Sequence, residues 1–263
     1  MNFNRDINFN RDINFNNELI CGDCYKEMLS LIQKDVKVDC IITDPPYGVN
    51  FKNDIYIDTE EEIFNKIPKW FECWFNILKE NGFLYIFTSV KTIHKWIEAG
   101  IKSGFTYKNI IATRSFNNGS MRPKNNFGFQ FQPVLVFSKG KGRNFNEYDF
   151  FSTSEAWFND PRNKKPKKYS YEYPNWIKTE LAFSTVKRSI KNFHPNEKNV
   201  DFIKLLVGIS TNEGDVVLDS FMGSCSTGIA CKELGRKFIG IEINRDCFNI
   251  GKIRFENYLT NKK

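Results

Sequence analysis

The sequence predicts an α/β fold, a doubly wound and mostly parallel sheet of seven strands covered by helices. Two observations carry this. Short apolar runs alternate with helix-length amphipathic stripes along most of the chain. Two of those runs end in an aspartate followed by a tight turn or a glycine-bearing loop, at Asp44 and at Asp219. Strands of open α/β sheets end in this way where they face a ligand.

Taken in order, residues 1–16 form a low-complexity arm, with the six residues Asn2 to Ile7 repeated at 8–13. Leu19–Gly22 reads as a strand and Cys24–Gln33 as a helix. Val38–Thr43 is a buried parallel strand that two prolines, Pro45 and Pro46, stop abruptly. Gly48 to Asp58 is long and polar, a candidate lid. Glu60–Lys79 carries apolar residues at Ile63, Phe64, Ile67, Trp70, Phe71, Trp74, Phe75 and Leu78, a wide helical stripe whose aromatics belong to the core. Pro68 lies inside it and predicts a kink or a fresh turn, and Asn81-Gly82 marks its end. Strand Phe83–Thr88, helix Lys91–Ile101, strand Lys108–Ala112, a polar loop at Asn117–Phe129 and strand Gln132–Phe137 continue the alternation. Strand Val216–Asp219, helix Ile229–Leu234, strand Phe238–Glu242 and a closing helix from Cys247 to Leu259 complete it.

The chemistry begins at Asp44-Pro45-Pro46-Tyr47. A carboxylate at a strand end accepts one hydrogen of an exocyclic amine, and the Pro45 carbonyl accepts the other. Tyr47 offers a ring face on which a base drawn out of a duplex stacks. Downstream, Asp219 to Gly228 and the acid Glu242 follow the strand–loop–helix–strand–acid logic of a nucleoside site, with the acid on the ribose hydroxyls. Gly228 is followed by Ile229 and Ala230 rather than a lysine, so a nucleoside without phosphates fits better than a nucleotide.

Together the two motifs resemble those of amino-group DNA methyltransferases, and their order, catalytic motif first, is similar to the β-type arrangement. The resemblance covers most of residues 17–138 and 190–263 and implies a Rossmann-like catalytic domain that uses S-adenosyl-L-methionine. It implies catalytic roles for Asp44, Pro45, Pro46 and Tyr47, with methyl transfer to adenine N6 in double-stranded DNA after base flipping. It also implies that Asp23 and Cys24 lie by the cofactor adenine, and that Glu242, Ile243 and Asn244 hold the ribose region. The methionine portion falls to Asp219, Ser220, Phe221, Gly223, Ser224, Ser226, Thr227 and Gly228, with the segment containing His194, Pro195 and Lys198. Cys225 stands where relatives usually have glycine. Gln132-Pro133 replaces the His-Glu or Thr-Glu common before that strand, and Thr113-Arg114 replaces Trp-x-Lys. Cytosine-N4 methylation is the rival within the class, because the same geometry serves any exocyclic amine, and Asp44, where cytosine enzymes often carry serine, favours adenine. A non-catalytic binding module is the rival outside it.

Composition bounds the rest. The chain has 263 residues, 41% of them hydrophobic and 16% aromatic, enough for one domain with an insertion. A net charge of +7 and a pI near 8.9 suit a polyanionic partner. Residues 139–189 interleave basic residues with aromatics and form the expected target-recognition region, small enough to imply a short or weakly read site. Seven cysteines, mostly within strands and helices, point to a reduced chain rather than a disulfide scaffold, and the lone Cys21–Cys24 spacing to no metal site. The chain shows neither a secretory signal nor an apolar span of ~18 residues, so a cytoplasmic protein of a prokaryote or phage is expected, with no membrane partner. A homodimer and a cognate restriction endonuclease are partners left open.

Overall fold

The computed structural model describes residues 17–50, 58–114, 131–146, 176–177 and 198–258. The repeat arm, residues 51–57 of the candidate lid, the Asn117–Phe129 loop, most of 139–189, and His194 and Pro195 lie outside the described residues.

The strands are β1 (Glu18–Cys21), β2 (Val38–Thr43), β3 (Leu78–Phe87), β4 (Thr106–Arg114), β5 (Phe131–Ser138), β6 (Trp176–Ile177), β7 (Val216–Asp219) and β8 (Lys237–Glu242). They form one sheet in the order β1-β8-β7-β2-β3-β5-β4-β6. All pairings are parallel except those of β5, which runs antiparallel to both β3 and β4. Seven of these strands are the expected ones, and the two-residue β6 adds an edge.

The helices are α1 (Cys24–Gln33), α2 (Glu60–Ile77), α3 (Ile93–Lys102), α4 (Val200–Ser210), α5 (Ser226–Glu233) and α6 (Arg245–Asn257). Two apolar clusters show how they cover the sheet. Along β3, Leu84 and Ile86 pack with α1, α2 and α3, while Phe83, Tyr85 and Phe87 pack with α4, α5 and α6. Strand alternation thus puts one helical layer on each face. The α2 aromatics Trp70, Phe71 and Trp74 are buried core. Pro68 sits within α2, and the helix continues through it to Ile77. Among the described residues no helix is long and apolar enough to cross a membrane.

Two expectations need correction. Asn81-Gly82 does not end α2; the helix ends at Ile77, and β3 begins at Leu78 with a register shift against β2. The bulge is fixed by backbone bonds from the Asn81 amide to Lys139 O at 2.9 Å and from the Lys139 amide to Gly82 O at 3.1 Å. Asn81 takes φ 64°, a conformation asparagine tolerates better than most residues. The second is α4, which was not expected at all. Phe202, Ile203, Leu205, Leu206, Val207 and Ile209 are all buried, which leaves the Asp201–Lys204 pair as a polar strip too short to mark a period.

Helix α6 touches the loop after β7. A Cβ on Gly251 would lie 2.5 Å from the carbonyl oxygen of Gly223, a backbone atom. Alanine in a helix interior ordinarily stabilises by about 1 kcal/mol relative to glycine. Gly251→Ala is expected instead to destabilise by about 1–3 kcal/mol, because the helix and the loop must separate. Urea unfolding of the two proteins gives the sign, and a stabilised variant would contradict the close approach.

Candidate active site

The site forms where the strand order reverses. From β2 the chain runs outward through β3 in one direction, while β7, β8 and β1 lie in the other. β2 and β7 are hydrogen-bonded neighbours, with Cys40 opposite Val217 and Ile41 opposite Leu218. Asp44 and Asp219 therefore emerge at the same carboxyl edge, at the position where open α/β sheets bind ligands. Beneath them the Ser220 hydroxyl lies 3.0 Å from Thr43 Oγ1 and accepts a bond from the indole N–H of Trp74, also at 3.0 Å. This buried junction ties the ends of β2 and β7 to α2.

The turn after Asp44 is held from both sides. The Thr92 hydroxyl donates to the carbonyl of Tyr47 at 2.9 Å. The buried Asp58 carboxylate accepts the amides of Gly48 at 2.7 Å and Val49 at 3.3 Å. Gly48 has φ 71°, so the turn uses the freedom of glycine here. The Tyr47 hydroxyl donates to Asp44 Oδ1 and accepts from the Gln132 amide. Lys198 Nζ lies 2.7 Å from Asp44 Oδ2 and 3.4 Å from both Tyr47 OH and Gln132 Oε1.

On the other side of the site, Asp219 is buried and accepts the Phe221 amide at 3.1 Å and the Thr227 hydroxyl at 2.7 Å. Burial pushes its carboxyl up to about 7; the two hydrogen bonds oppose this, and the neighbouring Asp44 charge reinforces it. Glu242, at the end of β8, accepts the amides of Gly223 at 2.9 Å and Asn244 at 2.8 Å. Asn244 in turn caps α6 through the amides of Asp246 and Cys247, and Asp23 caps α1 through Lys26. Cys225, the departure from glycine, is fully buried and takes φ 63°. The loop keeps the left-handed conformation despite the side chain, at a cost of about 1–2 kcal/mol.

A single cavity of about 770 Å³ joins the two halves. It is lined by Asp44, Pro45, Pro46 and Tyr47, by Asp23 and Cys24, and by Lys198. Asp219, Ser220, Phe221, Gly223, Ser224, Ser226 and Thr227, with Glu242, Ile243 and Asn244, complete the expected part of its wall. Gly228 stands behind that wall in α5, where a Cβ would meet Cys225 Sγ at 2.4 Å. Its missing side chain serves the packing of α5 on the loop. Burial pushes the Cys24 thiol well above its ordinary range. Among the described residues no group of three His, Cys, Asp or Glu side chains is placed to hold a metal ion.

Sequence reasoning did not place Phe87, Gln132, Asp58, or the Glu62, Lys66 and Trp70 face of α2 in this cavity. Gln132 had been visible as a departure from the usual pattern. The face of α2 had read as core, and Trp70 serves both purposes.

Comparison with known proteins agrees with this geometry. A family described as DNA methylase matches residues 38–252. The chain is 30% identical over 255 residues to the DNA adenine methyltransferase YhdJ of Escherichia coli (strain K12), covering 90% of this chain and 82% of that protein. It is 30% identical over 253 residues to the type II methyltransferase M.HpaI of Haemophilus parainfluenzae, covering 91% and 74%. Among solved structures it is similar to the M1.HpyAVI–SAM complex, with a TM-score of 0.63 and 27% identity over 90% of this chain and 98% of that one. The cytosine-N4-specific PvuII DNA methyltransferase shares the fold, with a TM-score of 0.66 at 16% identity over 94% and 91%.

The raised carboxyl of Asp219 has a consequence for stability. An aspartate in the unfolded chain titrates near 3.9. Its folded value is about 7, so between roughly pH 4 and 7 the native state holds a proton that the unfolded chain has released. The contribution is complete below the unfolded value and is lost as pH rises through the folded one, at up to about 1.4 kcal/mol per pH unit. Asp219→Asn removes this titration. The stability of wild type relative to the variant is expected to fall from pH 4 to 7 in urea titrations, and parallel profiles would reject the assignment.

Proposed function

The chain belongs to the DNA methylase family, and from that premise we propose that it methylates the N6 amine of adenine in double-stranded DNA with S-adenosyl-L-methionine. The observation that supports this most is the sharing of one cavity by Asp44 and the Asp219–Thr227 loop.

The residues present fit such a cofactor. The cavity volume lies in the range of small-molecule sites. Glu242 spends one acceptor position of each oxygen on Gly223 and Asn244 and keeps others for ribose hydroxyls. Ile243, 61% exposed beside it, offers an apolar face, and Asp23 and Cys24 close the adenine end. Asp219, Ser220, Phe221, Gly223, Ser224, Ser226 and Thr227 would hold the methionine portion, and His194 and Pro195 belong to the same proposal. Bound there, the cofactor supplies a methyl group on a positively charged sulfur.

The chain's own part is to present an amine to that methyl. An arylamine lone pair is delocalised into its ring, so the nitrogen must be turned and its hydrogens held. Asp44 accepts one hydrogen and the Pro45 carbonyl the other, with Pro46 keeping the turn rigid. The Asp44 charge balances the positive charge that develops on the nitrogen. The ring of Tyr47 stacks on the flipped base. Adenine is favoured over cytosine by aspartate at position 44, and the E. coli relative is named an adenine enzyme.

Two outcomes are expected. Asp44→Ala abolishes methyl transfer to DNA, a loss of at least ~10³-fold, while cofactor affinity by calorimetry stays within several-fold. Activity near wild type in that variant would remove Asp44 from the mechanism. Mass analysis of nucleosides from methylated DNA is expected to show N6-methyladenine, and N4-methylcytosine in its place would correct the base.

A further inference from the structure

Both oxygens of Asp44 are engaged. Oδ1 accepts from the Tyr47 hydroxyl, and Oδ2 pairs with Lys198 at 2.7 Å. Each oxygen keeps a further acceptor position, so an amine that comes to Oδ1 competes with Tyr47 while Lys198 stays on Oδ2. Tyr47 is the weaker competitor because it is neutral, and its ring is needed on the base. Lys198 is different. Neither partner of this pair is far from burial, with side chains 19% and 22% exposed, and separating two such charges is costly. The lysine is also held in place. It precedes the start of α4, which Asn199 caps through the amide of Phe202 at 3.1 Å. Its ammonium sits 5.1 Å above the ring of Phe87 and 3.4 Å from Gln132 Oε1. These contacts cluster on the β2, β3 and β5 side of the cavity, around the acceptor of the amine.

We propose that Lys198 is a positioning residue for Asp44: it fixes one carboxylate oxygen so that the other faces the target amine. The proposal rests on the reading of Asp44 as the amine acceptor, and it moves Lys198 from the methionine end of the cofactor to the base. The titratable groups that share this part of the cavity with Asp44 are Asp219 from β7, Asp58 beyond the turn, the Glu62 and Lys66 pair on α2, and Tyr47 on its own loop. All of these stay in place when Lys198 alone is changed. The difference between variants therefore isolates its charge.

Lys198→Met removes the charge and keeps the stem, whereas Lys198→Arg keeps the charge. In Lys198→Met, kcat is expected to fall about 10²-fold, with the dissociation constant for S-adenosyl-L-methionine within about threefold of wild type by calorimetry. Lys198→Arg is expected to recover most of the lost kcat, while the dissociation constant for the cofactor stays where it is in wild type. A second readout does not need turnover. The Asp44 carboxyl carbon, followed by NMR in protein labelled at aspartate and assigned with Asp44→Asn, is expected to shift in Lys198→Met and to return toward its wild-type position in Lys198→Arg. A kcat near wild type and an unmoved carboxyl resonance, with weakened cofactor binding, would overturn the proposal and return Lys198 to the cofactor. Wild-type protein inert on every DNA tested would instead reject methyl transfer itself, and the NMR spectra would still decide whether Lys198 fixes the Asp44 carboxylate. Calorimetric melting confirms that both variants are folded.

Discussion

The parallel pairing of β2 with β7 is the constraint from which the rest of the site follows. It is short, with only Cys40–Val217 and Ile41–Leu218 in register, yet it joins segments far apart in the chain. Because the strands run the same way, both turn out at the same edge, and the two aspartates that end them face one cavity. An antiparallel neighbour in the place of β7 would have sent Asp219 to the opposite edge. The pairing is reinforced by side chains just below the site, where Thr43, Ser220 and Trp74 share hydrogen bonds in a buried junction. Leaving any of these groups unpaired there would cost about 1–3 kcal/mol, so the junction also sets how closely the strand ends approach.

Two carboxylates share one cavity in different surroundings. Asp44 lies beside a lysine, and Asp219 is buried among hydroxyl and amide donors with its carboxyl raised to about 7. Environments that drive paired acids apart in this manner commonly mark a division of labour. Here the lysine-paired acid is the one proposed to receive the amine, and the one with the raised carboxyl lines the loop proposed for the cofactor. A positively charged sulfur near Asp219 would favour its ionised form, so binding and protonation are linked there.

Much of this was legible in the sequence because the informative residues act locally. Asp44-Pro45-Pro46-Tyr47 declares a strand end by its own backbone chemistry, and the glycine-bearing loop after Asp219 does the same. Seven of the eight strands among the described residues followed from short apolar runs. What could not be read depended on contacts between distant segments. Helix α4 is buried along most of its length between the sheet and α5, so its polar strip narrows to the Asp201–Lys204 pair. Asn81-Gly82 has the composition of a helix stop, and only the bonds to Lys139 reveal a bulge within β3. The cage of Lys198, Gln132 and Tyr47 around Asp44 draws on segments separated by most of the chain. None of these residues announces the others.

The same distinction bears on how much weight the basic composition deserves. Residues 139–189 were read as a recognition surface partly because lysine and arginine are frequent there. Two of those cations have internal duties. Lys139 donates to the carbonyls of Phe75 at 2.9 Å and Leu78 at 3.1 Å and lies 4.5 Å from the Phe75 ring centre, closing the bulge of β3. Arg143 pairs with Asp215 at 3.1 Å, beside the start of β7 and thus at the sheet edge opposite the cavity. Neither contributes to a surface around the site. Net charge alone therefore does not say how many cations meet phosphate, since a cation engaged within the fold adds little to phosphate binding. The case for DNA rests on the family and on the shape and chemistry of the cavity. Discrimination among sequences must come from residues that reach base edges, since cations that meet only phosphates cannot supply it.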